Sequence, residues 1–245
     1  MRSLGLAKRN LKGMWRDPLS LGLNLALPAG LLLVLQAVGG AIGEKDAPFL
    51  TPANLAPGAA LFGFVMVMFS SAMVLSRDRE TAFLSRLLTA PLRPSDFVAA
   101  YSLPYVAVAV VQALMVFAIA AFWGLEITGN AGLVVLLLFS MSILYIGLGM
   151  AMGSLLGVVP LSGAYTAVLL LTIFGGAWMD LEAIGGAFLT VANALPFAHA
   201  LDATRDVMID GAGLGAIATD LYWVLGYTVV VGALAVLAFR RRMLE

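Results

Sequence analysis

Cysteine is absent from this chain and histidine occurs once, at position 199. The first absence excludes disulfides, thiolate metal sites and thiol nucleophiles, and leaves the redox compartment open. The second argues against a His-rich metal site, so no metal is expected. Charge is scarce too. Only 11% of the 245 residues are charged, against about 25% in soluble domains, whereas 62% are hydrophobic and the mean hydropathy is +1.00. This is the composition of a membrane protein, read as one multi-pass domain over residues 1–245. A formal net charge of zero gives no reason to expect a nucleic-acid partner. The phosphate-binding loop G-x-x-x-x-G-K-[ST] is missing, and so are GxSxG and HExxH. Ionisable residues keep to loops and span ends, with Asp220 nearest a membrane edge. A proton-driven antiporter or an intramembrane hydrolase would be expected to bury at least one mid-span. Neither class is fully excluded, since polar groups such as Asn24, Gln36, Gln112 and Asn193 remain in the apolar segments.

What is present is a series of long uncharged runs. About 20 apolar residues cross the hydrocarbon core, and such runs place six spans at about 19–43, 58–76, 98–124, 131–156, 161–179 and 218–239. The first could also be read as a signal peptide with a processing site at Ala37-Val38-Gly39. Its apolar stretch is longer than the roughly 7–15 residues of such a region, which favours a retained span. Pro28 is expected to kink it. Spans four and five come from one run without ionisable residues, 127–179, too long for a single helix and broken at Gly157–Gly163 by glycine and Pro160. Ahead of the first span, Leu4, Ala7, Leu11, Met14 and Trp15 share one helical face, with Lys8, Arg9, Lys12 and Arg16 on the other. That pattern describes a basic amphipathic helix lying in the membrane interface. Between spans five and six, 183–192 and 195–203 are apolar pieces too short to cross, separated by Asn193 and Pro196. They read as a re-entrant or surface-lying helical hairpin. The fold class is therefore all-α, six spans with an interfacial N-terminal helix and an extracytoplasmic hairpin.

Twelve of the 14 basic residues fall on one side of this topology, leaving Lys45 and Arg205 on the other. The positive-inside rule puts both termini and the 77–96 segment in the cytoplasm, with the chain in the cytoplasmic membrane. In that segment Phe83, Leu84, Leu87 and Leu88 form one arc of a helical wheel, opposite Arg79, Ser85, Arg86 and Thr89. Asp78 and Glu80 are read as its first turn, where carboxylates suit the helix dipole. Pro91 and Pro94 end it, and Ser95 or Asp96 can cap the next helix. The leucines lie either in lipid or in a groove of a soluble protein. Gly149, Gly153 and Gly157 recur four apart on span four, a small-residue stripe for close helix packing within the chain or between two chains.

Arg79-Glu80 followed by Ser85-Arg86-Leu87-Leu88-Thr89-Ala90-Pro91 resembles the coupling segment of ABC-2 type transporter permeases. The stretch 193–205, Asn-Ala-Leu-Pro-Phe-Ala-His-Ala-Leu-Asp-Ala-Thr-Arg, is similar to that family's segment before the last span. The resemblance implies the membrane subunit of an ATP-driven exporter, not itself an enzyme, paired with a second copy or a paralogue. A separate ABC ATPase subunit would carry ATP and Mg. Phe83, Leu84, Leu87, Leu88 and the turn at Pro91 would seat in that ATPase, with Arg77, Arg79, Glu80 and Arg86 around them. Spans two and five would line the path, at positions such as Met66, Phe69, Ser70, Thr166, Thr172 and Phe174, unless these simply pack. The implied cargo is a small hydrophobic or amphipathic substrate, drug-like or a membrane lipid. His199 and Arg205 are expected to orient the hairpin. A membrane-embedded lipid-modifying enzyme, or a non-transporting scaffold or sensor for an ATPase, are the competing classes.

Overall fold

The computed structural model describes residues 2–43, 48–81, 93–179 and 181–243. Within them the chain is all-helical and without strands. Six helices are long and apolar enough to cross a membrane. A short leading helix, α1 (Arg2–Trp15), precedes the first of them, α2 (Pro18–Ile42). Then follow α3 (Pro52–Glu80), α4 (Pro94–Phe122) and α5 (Ala131–Leu155). Helix α6 (Val158–Thr172) continues as a π-helical segment, Ile173–Ala177. The short α7 (Leu181–Ile184), α8 (Gly186–Ala192) and α9 (Pro196–Ile209) lead to α10 (Ala218–Met243).

Local chemistry explains most of these boundaries. Pro18 and Pro94 occupy first helical turns, where a missing N–H costs nothing. Asp17 caps α2, its carboxylate accepting from the Ser20 N–H at 3.1 Å and from the Ser20 hydroxyl at 2.7 Å. Asp96 accepts from the Arg93 N–H at 3.0 Å, and Asn130 accepts from the Gly132 N–H at 2.8 Å. The π segment is kinked at Gly176, whose φ of 94° favours glycine.

The core is built around α3 and α5, whose apolar windows are 67% and 61% buried, against 17% for both α6 and α10. Gly149 and Gly153 make the α3–α5 contact possible. A Cβ at Gly149 would lie 2.4 Å from the Ser71 Oγ and 2.5 Å from the Met68 carbonyl oxygen, and one at Gly153 would lie 2.5 Å from the Ala72 carbonyl oxygen. Both glycines thus seat α5 on the backbone of α3 within one chain. Gly157, the third of the stripe, begins the turn into α6 and faces Glu80.

One sequence expectation is corrected. Asp78 and Glu80 are not in the first turn of a separate helix but in the last turn of α3, which runs past the uncharged stretch to Glu80. A carboxylate at a helix C-terminus is opposed by the dipole. Partners from elsewhere in the chain hold these two in place, as described below. The segment that follows, with Phe83, Leu84, Arg86, Leu87, Leu88 and Pro91, lies outside the described residues.

Candidate functional site

At the end of the bundle that carries α1, residues of α1, α2 and α3 with Tyr105 of α4 and Tyr165 of α6 line a cavity of about 430 Å³. The ring of Tyr165, from α6, packs on Phe69 with centroids 4.5 Å apart, and its hydroxyl points to the Met66 sulfur at 3.6 Å. Ser70, one turn on, is joined across the cavity wall to Asn24 of α2, whose Nδ2 donates to its Oγ at 2.9 Å. Nearer the α1 end the lining becomes polar, with Arg9, Asp17 and Arg77. Three path residues expected from sequence, Met66, Phe69 and Ser70, therefore share one cavity. The other three are not among its lining residues. Thr172 is buried and bonds the Tyr145 hydroxyl at 2.7 Å; Phe174 meets Phe188 edge to face; Thr166 is exposed and donates to the Ser162 carbonyl at 3.0 Å.

Below the cavity the last turn of α3 is gripped on two sides. On one, Asp78 accepts from Arg9 at 2.9 Å and from the Tyr101 hydroxyl at 2.7 Å, while Asn10 donates to the Ala100 carbonyl at 3.4 Å. These contacts fix α1 to α3 and α4. Burial works to lower the Arg9 pKa, but the Asp78 hydrogen bond and charge outweigh it and hold the guanidinium above its ordinary value. The Asp17 carboxyl sits below its ordinary value because the Ser20 hydroxyl and N–H bond its ionised form.

On the other side three consecutive elements of chemistry meet the α5–α6 turn. The Ser76 hydroxyl donates to the Leu156 carbonyl at 3.0 Å, Arg79 donates to the Ser154 carbonyl, and Glu80 accepts from the Val158 N–H at 3.2 Å. A cation thus caps the C-terminus of α5 and an anion the N-terminus of α6, each matching the local helix dipole. Arg77, the remaining described member of the expected docking set, is exposed at the cavity rim.

The opposite end is organised by two residues of α9. Arg205, only 8% exposed, donates to the carbonyls of Asn54 (3.1 Å), Gly176 (2.9 Å) and Ala177 (3.2 Å), and lies over the Phe49 ring at 4.9 Å. It joins the start of α3, the π segment and α9 at one point. His199 contacts Asp220 at 2.6 Å and the Asn193 carbonyl at 2.9 Å, and stacks on Trp223 with centroids 4.9 Å apart. Tyr227 donates to the Ala194 carbonyl at 2.9 Å. These contacts hold the turn between α8 and α9 against α10. The Asp202 carboxyl is pushed up to about 6, by burial first and then by the Asp206 and Asp220 charges, against the pull of Arg205 and His199. About half of its side chain nevertheless stays accessible. Among the described residues no three His, Asp or Glu side chains are placed to hold a metal ion.

The sequence reading placed Asp78 in a first helical turn and missed its part in the α1–α3–α4 junction. Its partners lie 69 and 23 residues away, and such distances leave no periodic trace. The available signal was the basic face of α1, which needs an acid wherever it docks.

Comparison with known proteins places this geometry in context. Residues 4–209 match the family described as ABC-2 type transporter. Over 167 residues the chain is 29% identical to ABC transporter G family member 20 of Dictyostelium discoideum, an alignment covering 65% of this chain and 22% of that protein. Over 190 residues it is 25% identical to the probable multidrug ABC transporter permease YbhR of Escherichia coli K12, covering 76% of this chain and 51% of the relative. The chain thus spans about a fifth and about half of their lengths.

Proposed function

The chain belongs to the ABC-2 type transporter family, and we propose that it is the membrane-spanning subunit of an ATP-binding cassette exporter in the cytoplasmic membrane, with both termini in the cytoplasm. In this reading it moves a hydrophobic or amphipathic compound and works with a second permease copy or a paralogue. ATP and Mg bind a separate ABC ATPase, which docks on Phe83, Leu84, Leu87 and Leu88.

The observation that carries the reading is the link from the last turn of α3 to the α5–α6 turn. The cavity is walled by α3 and by Tyr165 of α6, and just before residues 82–92 Glu80 ties α3 to the start of α6 while Arg79 ties it to the end of α5. A force applied to that segment by an ATPase would move both walls at once. An ATP-dependent difference in the stability of two cavity shapes is then sufficient to drive a cycle.

The test is purification of the chain with the ABC ATPase encoded beside it, followed by reconstitution into vesicles. Mg-ATP should drive accumulation of a lipophilic dye, and the dye should stimulate hydrolysis. If no ATPase co-purifies and ATP moves no dye, the exporter reading fails. ATPase binding without cargo-dependent stimulation would favour the scaffold class instead.

A further inference from the structure

The cavity next to α1 is graded from charged to apolar along the bundle axis. Its rim holds Arg77, and Met66 lies three turns deeper on the same helix, about 16 Å away at 1.5 Å per residue. Asp17 is the carboxylate of that lining, and Arg9 and Arg77 are its cations. Asp17 bonds Ser20 at the N-terminus of α2 and its charge also acts on Arg77, while Arg9 pairs with Asp78 just outside the lining. Arg77 is exposed, and among the described residues it forms no ion pair within 4.0 Å. The lining therefore carries one more cation than carboxylate, at the mouth of a cavity whose depth is apolar. A volume of about 430 Å³ falls in the range of pockets that enclose a single small ligand.

The depth of this rim in the membrane points to the occupant. Trp15 and Leu19, at the junction of α1 and α2, are 69% and 72% exposed. A tryptophan with an apolar neighbour, flanked by Arg9, Arg16 and Arg77, is the side-chain set of a membrane–water interface. A bilayer placed at that level would set lipid head groups beside the arginines and acyl chains beside Leu27 and Phe69.

We propose that this cavity binds a membrane lipid with an anionic head group, its phosphate against Arg77 and one acyl chain running past Ser70 toward Met66. A guanidinium at the mouth selects phosphate by charge-assisted hydrogen bonds, and the apolar interior selects a chain. Neither half is a complete site alone. As cargo the lipid rests on the exporter reading above, whereas as occupant it does not.

The test uses the full chain in neutral detergent, without an ATPase, titrated with lysophosphatidylglycerol, lysophosphatidylcholine of equal chain length, or glycerol phosphate. Thermal stabilisation and native mass spectrometry report binding. The anionic lysolipid should bind at least tenfold more tightly than the zwitterionic one, and glycerol phosphate should not bind. Arg77→Gln should remove that preference, while Arg240→Gln, which alters an exposed arginine outside the cavity, should keep it. Met73→Trp should block the chain and lower affinity for both lysolipids. Should Met73→Trp not fold, Arg77→Gln against Arg240→Gln still decides. Equal affinity for the two lysolipids, or equal loss with both arginine variants, overturns the proposal and leaves the exporter reading standing. Specific binding of the anionic lipid with no ATP-driven movement in vesicles would leave the site standing and count against the exporter.

Discussion

Glu80 and Val158 are joined across the turn between two helices: the Glu80 carboxylate accepts the Val158 N–H at 3.2 Å, on the first turn of α6. With Arg79 on the Ser154 carbonyl, opposite charges one residue apart grip opposite ends of two successive helices. A carboxylate at an exposed helix N-terminus is worth about 0.3–1 kcal/mol, so it adds little to the stability of the chain. Its consequence is directional, because α6 must follow the end of α3. Glu80→Ala should therefore leave the melting temperature nearly unchanged but lower the number of substrate molecules moved per ATP hydrolysed. Glu80→Gln, which keeps an acceptor oxygen, should retain more of that coupling. Equal coupling in the wild type and Glu80→Ala would show that the contact transmits nothing.

The leucine arc of residues 83–88 makes a separate prediction. Leu84→Asp combined with Leu87→Asp places two carboxylates where a soluble partner would bury apolar surface, and desolvating an unpaired carboxylate is costly. Co-purification of the ATPase should drop by at least tenfold while membrane insertion stays intact. Unchanged assembly and transport would remove the docking role.

How much of this was legible beforehand depends on the range of the interaction. The spans could be read because insertion depends on runs of about 20 apolar residues, a property local to each run. Asp17, Asp96 and Asn130 cap helices through contacts two or three residues away; of the expected Ser95 or Asp96 it is Asp96 that bonds the Arg93 N–H, from inside the first turn of α4. Met66, Phe69 and Ser70 were named through the family resemblance, which points to spans two and five, and not through any spacing of their own. Thr172 was named on the same grounds, but its orientation is set by Tyr145 on the neighbouring helix, 27 residues away. Arg79 and Glu80 look like free docking charges because the turn they grip lies 75 and 78 residues downstream. Spacing within a segment shows which residues share a face, not which neighbour that face will meet.

Asp202 should make stability depend on pH. Its pKa is raised in the folded chain to about 6, mainly by burial. The folded state then binds the proton more tightly than the unfolded state does. The resulting stabilisation is full below about pH 4, where an unfolded aspartate titrates, and is lost as pH rises through 6. Asp202→Asn should accordingly match the wild type near pH 4 and be the more stable of the two at pH 7.5. Thermal melts of both proteins across that interval provide the check, and a constant offset would exclude this titration.

Two glycines on neighbouring helices should respond oppositely to alanine. A Cβ at Gly153 would press on the Ala72 carbonyl at 2.5 Å, whereas nothing lies within 4 Å of one at Gly163. Gly153→Ala should cost about 1–3 kcal/mol through overpacking. Gly163→Ala should be neutral or stabilise α6 by up to about 1 kcal/mol through helix propensity. Melting temperatures that shift in the same direction would contradict the packing described for α3 and α5.

Arg205 tests whether the far end of the bundle depends on shape as well as charge. Its guanidinium bonds three carbonyls belonging to α3 and the π segment, with its central carbon 4.9 Å from the Phe49 ring centroid. A lysine would keep the positive charge but could not direct a planar fork at separated acceptors. Each buried carbonyl left without its donor costs about 1–3 kcal/mol. Arg205→Lys should therefore destabilise the protein by at least one such increment. It should also increase amide exchange in 173–177, where the π segment would lose its tie to α9. If the lysine variant melts and exchanges like the wild type, charge alone holds this junction and the three carbonyl bonds are incidental. If it loosens the π segment and leaves the Arg9–Asp78 end unchanged, the two ends of the bundle are held independently. Movement of α6 at the cavity would then not require release at Arg205.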